Sequence, residues 1–212
     1  MEGVIFLFFY NSIGNMIIAL EGIDGAGKKT QIDLIMKHLK RSKTPFLVLK
    51  TPDYSTPVGK AIRKYLDGEL RLEPEEAFAL YAADVLMMAR EFSEAKKKSK
   101  VILLDRYITS TVAYQCGRGL PFKKAVDMVG LLGFPKIDKI IYIDISPETS
   151  FRRKKKEKKS LDIHEKDREY LAKVRRFYLR EVKEGFIGEW AIIDGEKSPE
   201  AVSKEIMKEF KF

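Results

Sequence analysis

The 212-residue chain has a single cysteine, Cys116, so no disulfide can close within it and a disulfide-framework fold is excluded. Amides are nearly as scarce: Asn11, Asn15, Gln31 and Gln115 are all there are. Few labile amides beside abundant Lys and Glu is a weak thermophilic signature that any Lys-rich genome would share. Long apolar runs are missing too. Val4–Tyr10 falls far short of the roughly 20 residues that span a bilayer. Met1-Glu2-Gly3 places an acid where a secretory leader carries basic residues, and no small-residue cleavage site follows. No repeat, linker or composition break divides the chain.

What is present suits one domain with a real core. Hydrophobic residues make up 45% of the chain, which excludes disorder along its whole length. Lys plus Arg outnumber Asp plus Glu by 40 to 31, a net charge of +9. That balance suggests an anionic partner, and charge alone does not choose among nucleic acid, acidic membrane and phosphorylated small molecule.

Five short apolar runs read as strands: Ile17–Leu20, Phe46–Leu49, Val101–Leu104, Ile140–Ile143 and Trp190–Ile193. They are wholly apolar rather than alternating, as in strands covered on both faces. Helical spacing fills the intervals at Lys29–Leu39, Val58–Leu66, Pro74–Lys98, Thr109–Leu132 (as one helix or two), from Pro147, and at Pro199–Phe210. The expected fold is α/β, a five-stranded parallel sheet flanked by helices on both faces. The expected domain runs over 16–212. Residues 1–15 read as a floppy extension, or as an added edge strand over Val4–Tyr10. Active sites of such sheets sit beyond the C-terminal strand ends, which directs attention to the turns there.

Between the first strand and first helix lies Glu21-Gly22-Ile23-Asp24-Gly25-Ala26-Gly27-Lys28-Lys29-Thr30. Glycines allow a tight loop whose amides converge on an anion, and the helix N-terminus adds positive potential. This is a phosphate-binding P-loop in its strand–loop–helix context. Lys28 would reach the outer phosphates. Lys29 breaks the pattern, standing where a hydroxyl normally binds Mg²⁺; Thr30, one residue on, points about 100° away. At the end of the third strand, Asp105-Arg106 supplies a carboxylate suited to Mg²⁺, directly or through water, and a cation suited to a phosphate. Taken alone, that pair also reads as a strand-end salt bridge.

Together these segments resemble the thymidylate kinase family, the nucleoside monophosphate kinases of P-loop NTPase type that make dTDP from dTMP and ATP. The resemblance runs from about Ile17 to the C-terminus. It rests on the loop Glu21–Lys28, on Thr51-Pro52-Asp53-Tyr54, on Leu104-Asp105-Arg106-Tyr107 followed by Ser110–Gln115, on Arg118-Gly119-Leu120, and on Ile141–Glu148. It implies ATP binding by Gly22, Gly25, Ala26, Gly27, Lys28, Lys29 and Thr30, with Asp194, Gly195 and Lys197 bordering the adenine. It implies an acceptor site of Asp24 (at the 3′-hydroxyl), Pro52, Tyr81 (stacked on the thymine), Arg106 (on the acceptor phosphate), Tyr114 (under the sugar) and Gln115 (near the base). It further implies catalysis by Lys28, Asp105 and Arg106, with Mg²⁺ as cofactor and a homodimer. With no targeting signal seen, the cytoplasm is the expected location, and nucleic acid or membrane is not an expected partner.

The basic run from Phe151 to Lys159 matches the family's lid, at about 151–162. On its own the run reads as a solvated surface or a nucleic-acid patch. Some members carry an arginine inside the P-loop; here that position is Gly25, so the lid should deliver it, with Arg152 and Arg153 as candidates. Two further departures stand out. Tyr54 and Val85 occupy positions where many members have an arginine, the second of which hydrogen-bonds the thymine. Arg90, about 140° further around the helix, is a poor substitute. A relaxed base preference is therefore expected, with dUMP and other monophosphates accepted. The alternatives are another P-loop nucleoside or nucleotide kinase, and a weakly active nucleotide-binding protein.

Overall fold

Each apolar run forms a strand in the computed structural model, which describes residues 16–99, 101–157 and 167–210. Both readings of residues 1–15, and the lid beyond residue 157, lie outside the described residues. The strands are β1 (Met16–Glu21), β2 (Phe46–Lys50), β3 (Val101–Asp105), β4 (Lys139–Asp144) and β5 (Glu189–Asp194). They are ordered β2-β3-β1-β4-β5, every pair parallel. The three central strands are buried but for one end residue each; the edge strands β2 and β5 are only partly covered. Alternate residues feed opposite cores, Ile18, Leu20 and Leu103 on one face and Ile17, Ala19, Ile102 and Leu104 on the other.

The helices are α1 (Lys28–Arg41), α2 (Pro57–Leu66), α3 (Pro74–Ala89), α4 (Phe92–Lys98), α5 (Ile108–Gly117), α6 (Phe122–Leu132), α7 (Pro147–Glu157), α8 (Arg168–Glu184) and α9 (Pro199–Glu209). The single helix expected over Pro74–Lys98 is two. The chain turns at Arg90-Glu91, where Glu91 N–H bonds the Met88 carbonyl, three residues back. That turn swings Phe92 onto Tyr107, with ring centroids 6.1 Å apart. Helix α8 was not anticipated. Its signals are present: an Asp167 cap accepting from Tyr170 N–H, buried Leu171, Val174 and Tyr178 at helical spacing, and Gly185 at φ 61° past its end. It packs along α5 and so backs the turn after β3. Among the described residues no helix is long and apolar enough to cross a membrane.

Candidate active site

The loop after β1 is shaped by what cannot fit there. At Gly22, with φ 147°, a Cβ would lie 2.7 Å from the Ile143 carbonyl oxygen. At Gly25, with φ 77°, a Cβ would lie 3.0 Å from the Ser150 carbonyl oxygen of α7. Helix α7 therefore packs directly on the loop, and Ser150 Oγ donates to the Asp24 carbonyl. Lys28 is buried and folded back, its Nζ donating to the carbonyls of Gly22 (2.8 Å) and Ile23 (3.1 Å). Burial and then the Arg106 charge pull its ammonium down to about 8, against the carboxylates of Asp24, Asp105 and Glu21.

Arg106 sits at the turn from β3 to α5 with φ 73°, a strained conformation for a residue with a side chain. The turn is clamped. Arg106 N–H bonds the Leu20 carbonyl, and the next amide, of Tyr107, donates to Glu21 Oε1 at 2.8 Å. Glu21 is fully buried and also accepts from Thr109 Oγ1, Ser110 Oγ and Tyr178 Oη. The Arg106 guanidinium then spans the site, from Nη1 to Ser110 Oγ (3.1 Å) and the Gly22 carbonyl (3.2 Å), and from Nη2 to Asp24 Oδ1. Tyr114 Oη donates to Asp24 Oδ2 at 3.0 Å. Burial works to raise the Asp24 carboxyl, but Arg106, Lys28, Lys154 and the Tyr114 hydrogen bond outweigh it and hold it well below the carboxylate range.

Asp24, Pro52, Tyr81, Arg106, Tyr114 and Gln115 line one cleft. Every residue expected to touch the acceptor is thus brought together. Tyr54 lines it too, as do Leu66 and Thr111, which sequence reasoning did not single out. Val85 lies instead in the core between α3 and the sheet, 1% exposed, and Arg90 is exposed at the end of α3.

Comparison with known proteins agrees with this geometry. The family model described as thymidylate kinase matches residues 20–206. The chain belongs to the thymidylate kinase family. It is 38% identical over 197 residues to the thymidylate kinase of Caldanaerobacter subterraneus subsp. tengcongensis, covering 90% of this chain and 92% of the relative. It is 33% identical over 203 residues to that of Kosmotoga olearia, covering 92% and 95%. Its fold matches thymidylate kinase from Candida albicans with a TM-score of 0.72 at 24% identity, covering 92% of this chain and 90% of the other. The chain is therefore a nucleoside monophosphate kinase, a phosphotransferase.

Seen as a thymidylate kinase, the chain separates its two lid candidates. Arg153 donates from Nη1 to the Gly25 carbonyl (3.2 Å) and from Nη2 to the Gly195 carbonyl (2.8 Å), joining the P-loop to the loop after β5. Arg152 is exposed and donates to Thr149 Oγ1 of its own helix. Lys154, not singled out from sequence, lies beside Gly25 and acts on Asp24. The side chains of Lys29 and Thr30 are exposed, and Lys29 pairs with Asp33 one turn along α1 at 3.0 Å. What these two positions offer the loop is their backbone N–H groups in the first helical turn. Lys197 pairs with Glu205 of α9 at 2.7 Å, and Asp194 accepts from Glu196 N–H. Ala26 is buried in the loop, its N–H on the Ile23 carbonyl. Sequence reasoning also missed that Glu21 is the hub of the site. The signal was an acid ending an otherwise apolar strand destined for full burial.

Proposed function

We propose that the chain transfers the γ-phosphoryl group of ATP to dTMP, giving dTDP and ADP, with a base preference relaxed enough to take dUMP. The observation that carries this reading is Arg106, held between the P-loop carbonyl of Gly22 and Asp24 at the head of the acceptor cleft. A guanidinium there contacts an acceptor phosphate and faces the P-loop at once. Lys28 exchanges its loop carbonyls for donor phosphates. Arg153 adds positive charge where the P-loop meets the loop after β5. Cations so placed around a transferring phosphoryl group are worth about 10³-fold or more in rate. Asp24, ionised and bound by Tyr114, accepts from a sugar hydroxyl.

The residues fit Mg²⁺ carried by the nucleotide. Lys50 Nζ stands off from Asp105 at 3.9 Å, so the Asp105 carboxylate would be available to hold Mg²⁺, directly or through water. Among the described residues no group of three or more His, Cys, Asp or Glu forms a cage of its own. Bound Mg²⁺ would neutralise charge developing on the phosphates. A homodimeric, cytoplasmic enzyme completes the reading, and its support is the family.

The relaxed preference follows from Val85, whose side chain is sealed in the core, and from Arg106 being the only arginine among the described residues lining the cleft. Contact with the thymine methyl is worth about 0.8 kcal/mol, or roughly fourfold. ADP release with dTMP, dUMP, dCMP, dGMP and dAMP offered separately tests this. We expect dTMP and dUMP to be turned over within about tenfold of each other. A thousandfold preference for dTMP overturns the relaxed specificity, and no turnover of any acceptor overturns the reaction.

A further inference from the structure

Helix α7 opens with an incomplete capping box. Ser146 precedes Pro147, the first helical residue, and its Oγ accepts from Thr149 N–H at 3.2 Å. Such a box is normally closed by an acid three residues after the serine, which turns back onto the serine amide. That position is Thr149, which has no carboxylate. The acid comes instead from 50 positions along the chain. Glu196 Oε1 accepts from Ser146 N–H at 2.8 Å, and Glu196 Oε2 accepts from Thr149 Oγ1 at 2.7 Å. Glu196 is exposed, yet both of its oxygens are in use. Burial works to raise its carboxyl, but the hydrogen bonds from Ser146 and Thr149 and the Arg153 charge outweigh it and hold it below its usual range.

This clamp joins two segments that meet at the P-loop. On one side, Gly195 is pressed onto the end of β4. Its N–H donates to the Asp144 carbonyl at 2.8 Å, and a Cβ there would lie 2.6 Å from Ile143 Cγ2. On the other side, Ser150 and Arg153 of α7 reach the P-loop, and Arg153 bonds the carbonyls of both Gly25 and Gly195. Pinning the first turn of α7 therefore sets where Arg153, about two turns on, can lie. We propose that Glu196 is a positioning residue for the ATP side of the site: it completes the cap of α7 from the loop after β5 and so holds Arg153 against the P-loop. This role rests on reading Arg153 as a cation of the donor site. The sign of the effect separates it from a simple field. A carboxylate near a polyphosphate repels it, so removing Glu196 should tighten ATP if only its charge acts there. Removing it should weaken ATP if it acts by holding Arg153.

The test measures Kd for ATP with Mg²⁺, and Kd for dTMP, by calorimetry on the full chain. The variants are Arg153→Met, Glu196→Ala, Glu196→Gln and the double variant of Arg153→Met with Glu196→Ala. Glu196→Ala should weaken ATP by about fivefold to thirtyfold, the worth of one or two hydrogen bonds, and leave dTMP within about twofold. Glu196→Gln keeps an oxygen for Ser146 N–H and a polar group for the Thr149 hydroxyl, and should restore ATP to within about twofold of wild type. With Arg153→Met already in place, Glu196→Ala should add almost nothing, because the side chain it positions is gone. A purely structural role would weaken both ligands and would add its full effect in the double variant. Either result overturns the proposal, as does unchanged or tighter ATP in Glu196→Ala. Should that variant fail to fold, Thr149→Val removes the Oε2 contact alone and is read the same way, with a smaller loss for ATP. Arg153→Met is read first. Unchanged ATP affinity there overturns the placing of Arg153 at the donor site, whereas a loss there beside an unmoved Glu196→Ala overturns only the role of Glu196.

Discussion

Glu21 and Glu181 are both fully buried, and they solve the problem of burial in opposite ways. Glu21, at the end of β1, receives donors from Tyr107, Thr109, Ser110 and Tyr178. Glu181, near the end of α8, has no hydrogen-bond partner on either oxygen among the described residues. A carboxylate in a low-dielectric interior is tolerable when donors surround it, and otherwise it keeps its proton. Burial, then the charges of Glu21 and Glu184, push the Glu181 carboxyl well above its usual range. Across from it on α5 lies the Cys116 thiol, raised to about 12 by burial and then by Glu181. Arg180, next to Glu181 in the chain, is engaged with Glu184 at 2.8 Å. The difference teaches what each acid is for. Glu21 organises the strained turn that presents Arg106; the described structure gives Glu181 nothing to hold.

Removing the better-served acid should do the greater harm. Glu21→Ala leaves the Tyr107 amide and three hydroxyls without their acceptor and releases the left-handed turn at Arg106. Each buried group left unsatisfied costs about 1–3 kcal/mol. We expect unfolding free energy to fall by about 3 kcal/mol or more in urea titrations, with kcat/KM for dTMP down at least a hundredfold. Wild-type activity in this variant would show that Arg106 is held without Glu21, and the contrast between the two acids would lose its functional half.

Removing the unserved acid should help. Glu181→Leu replaces an unpartnered carboxyl by an apolar side chain and should stabilise the fold by about 1–3 kcal/mol at pH 8. The pH dependence fixes the sign. The folded-state pKa of Glu181 lies above the ordinary value of 4.5, so above that pH the unfolded chain sheds a proton that the folded chain keeps. Wild-type stability is thereby drawn down as pH rises from about 4.5 toward the folded value, and the variant escapes this loss. Urea midpoints should therefore diverge between pH 5 and 8 and converge at lower pH. A variant less stable than wild type across this range would mean that Glu181 has a partner after all.

The same contrast shows how far the sequence could be read. The sheet was legible because its strands are uninterrupted apolar runs, and the P-loop was legible because backbone geometry demands Gly22 and Gly25. The residues proposed to hold the acceptor were reachable through family resemblance, and all of them line one cleft. What escaped was set by pairing between distant segments. Glu21 and Glu181 are the same letter, and only Tyr107, Thr109, Ser110 and Tyr178, brought in from 86, 88, 89 and 157 positions away, distinguish them. Lys29 drew attention as a broken motif, yet its side chain turns along α1 to Asp33. Helix α8 was hidden behind the basic run before it, although it supplies Tyr178 to the Glu21 hub.

Tyr178→Phe sharpens the comparison by moving Glu21 one step toward the condition of Glu181. Tyr178 Oη donates to Glu21 Oε2 at 2.9 Å and lies 2.8 Å from Ser110 Oγ. The phenyl ring can keep its stack on Tyr142, with centroids 5.0 Å apart, so packing is nearly conserved and a single donor is lost. Three donors still serve Glu21, and Ser110 Oγ still accepts from Arg106. The cost should be about 1 kcal/mol in unfolding free energy, with kcat/KM for dTMP reduced severalfold at most. A loss as large as that of Glu21→Ala would place the hub in Tyr178, and the strength of Glu21 would then lie in one hydroxyl from α8 and not in the set of donors gathered at the turn after β3.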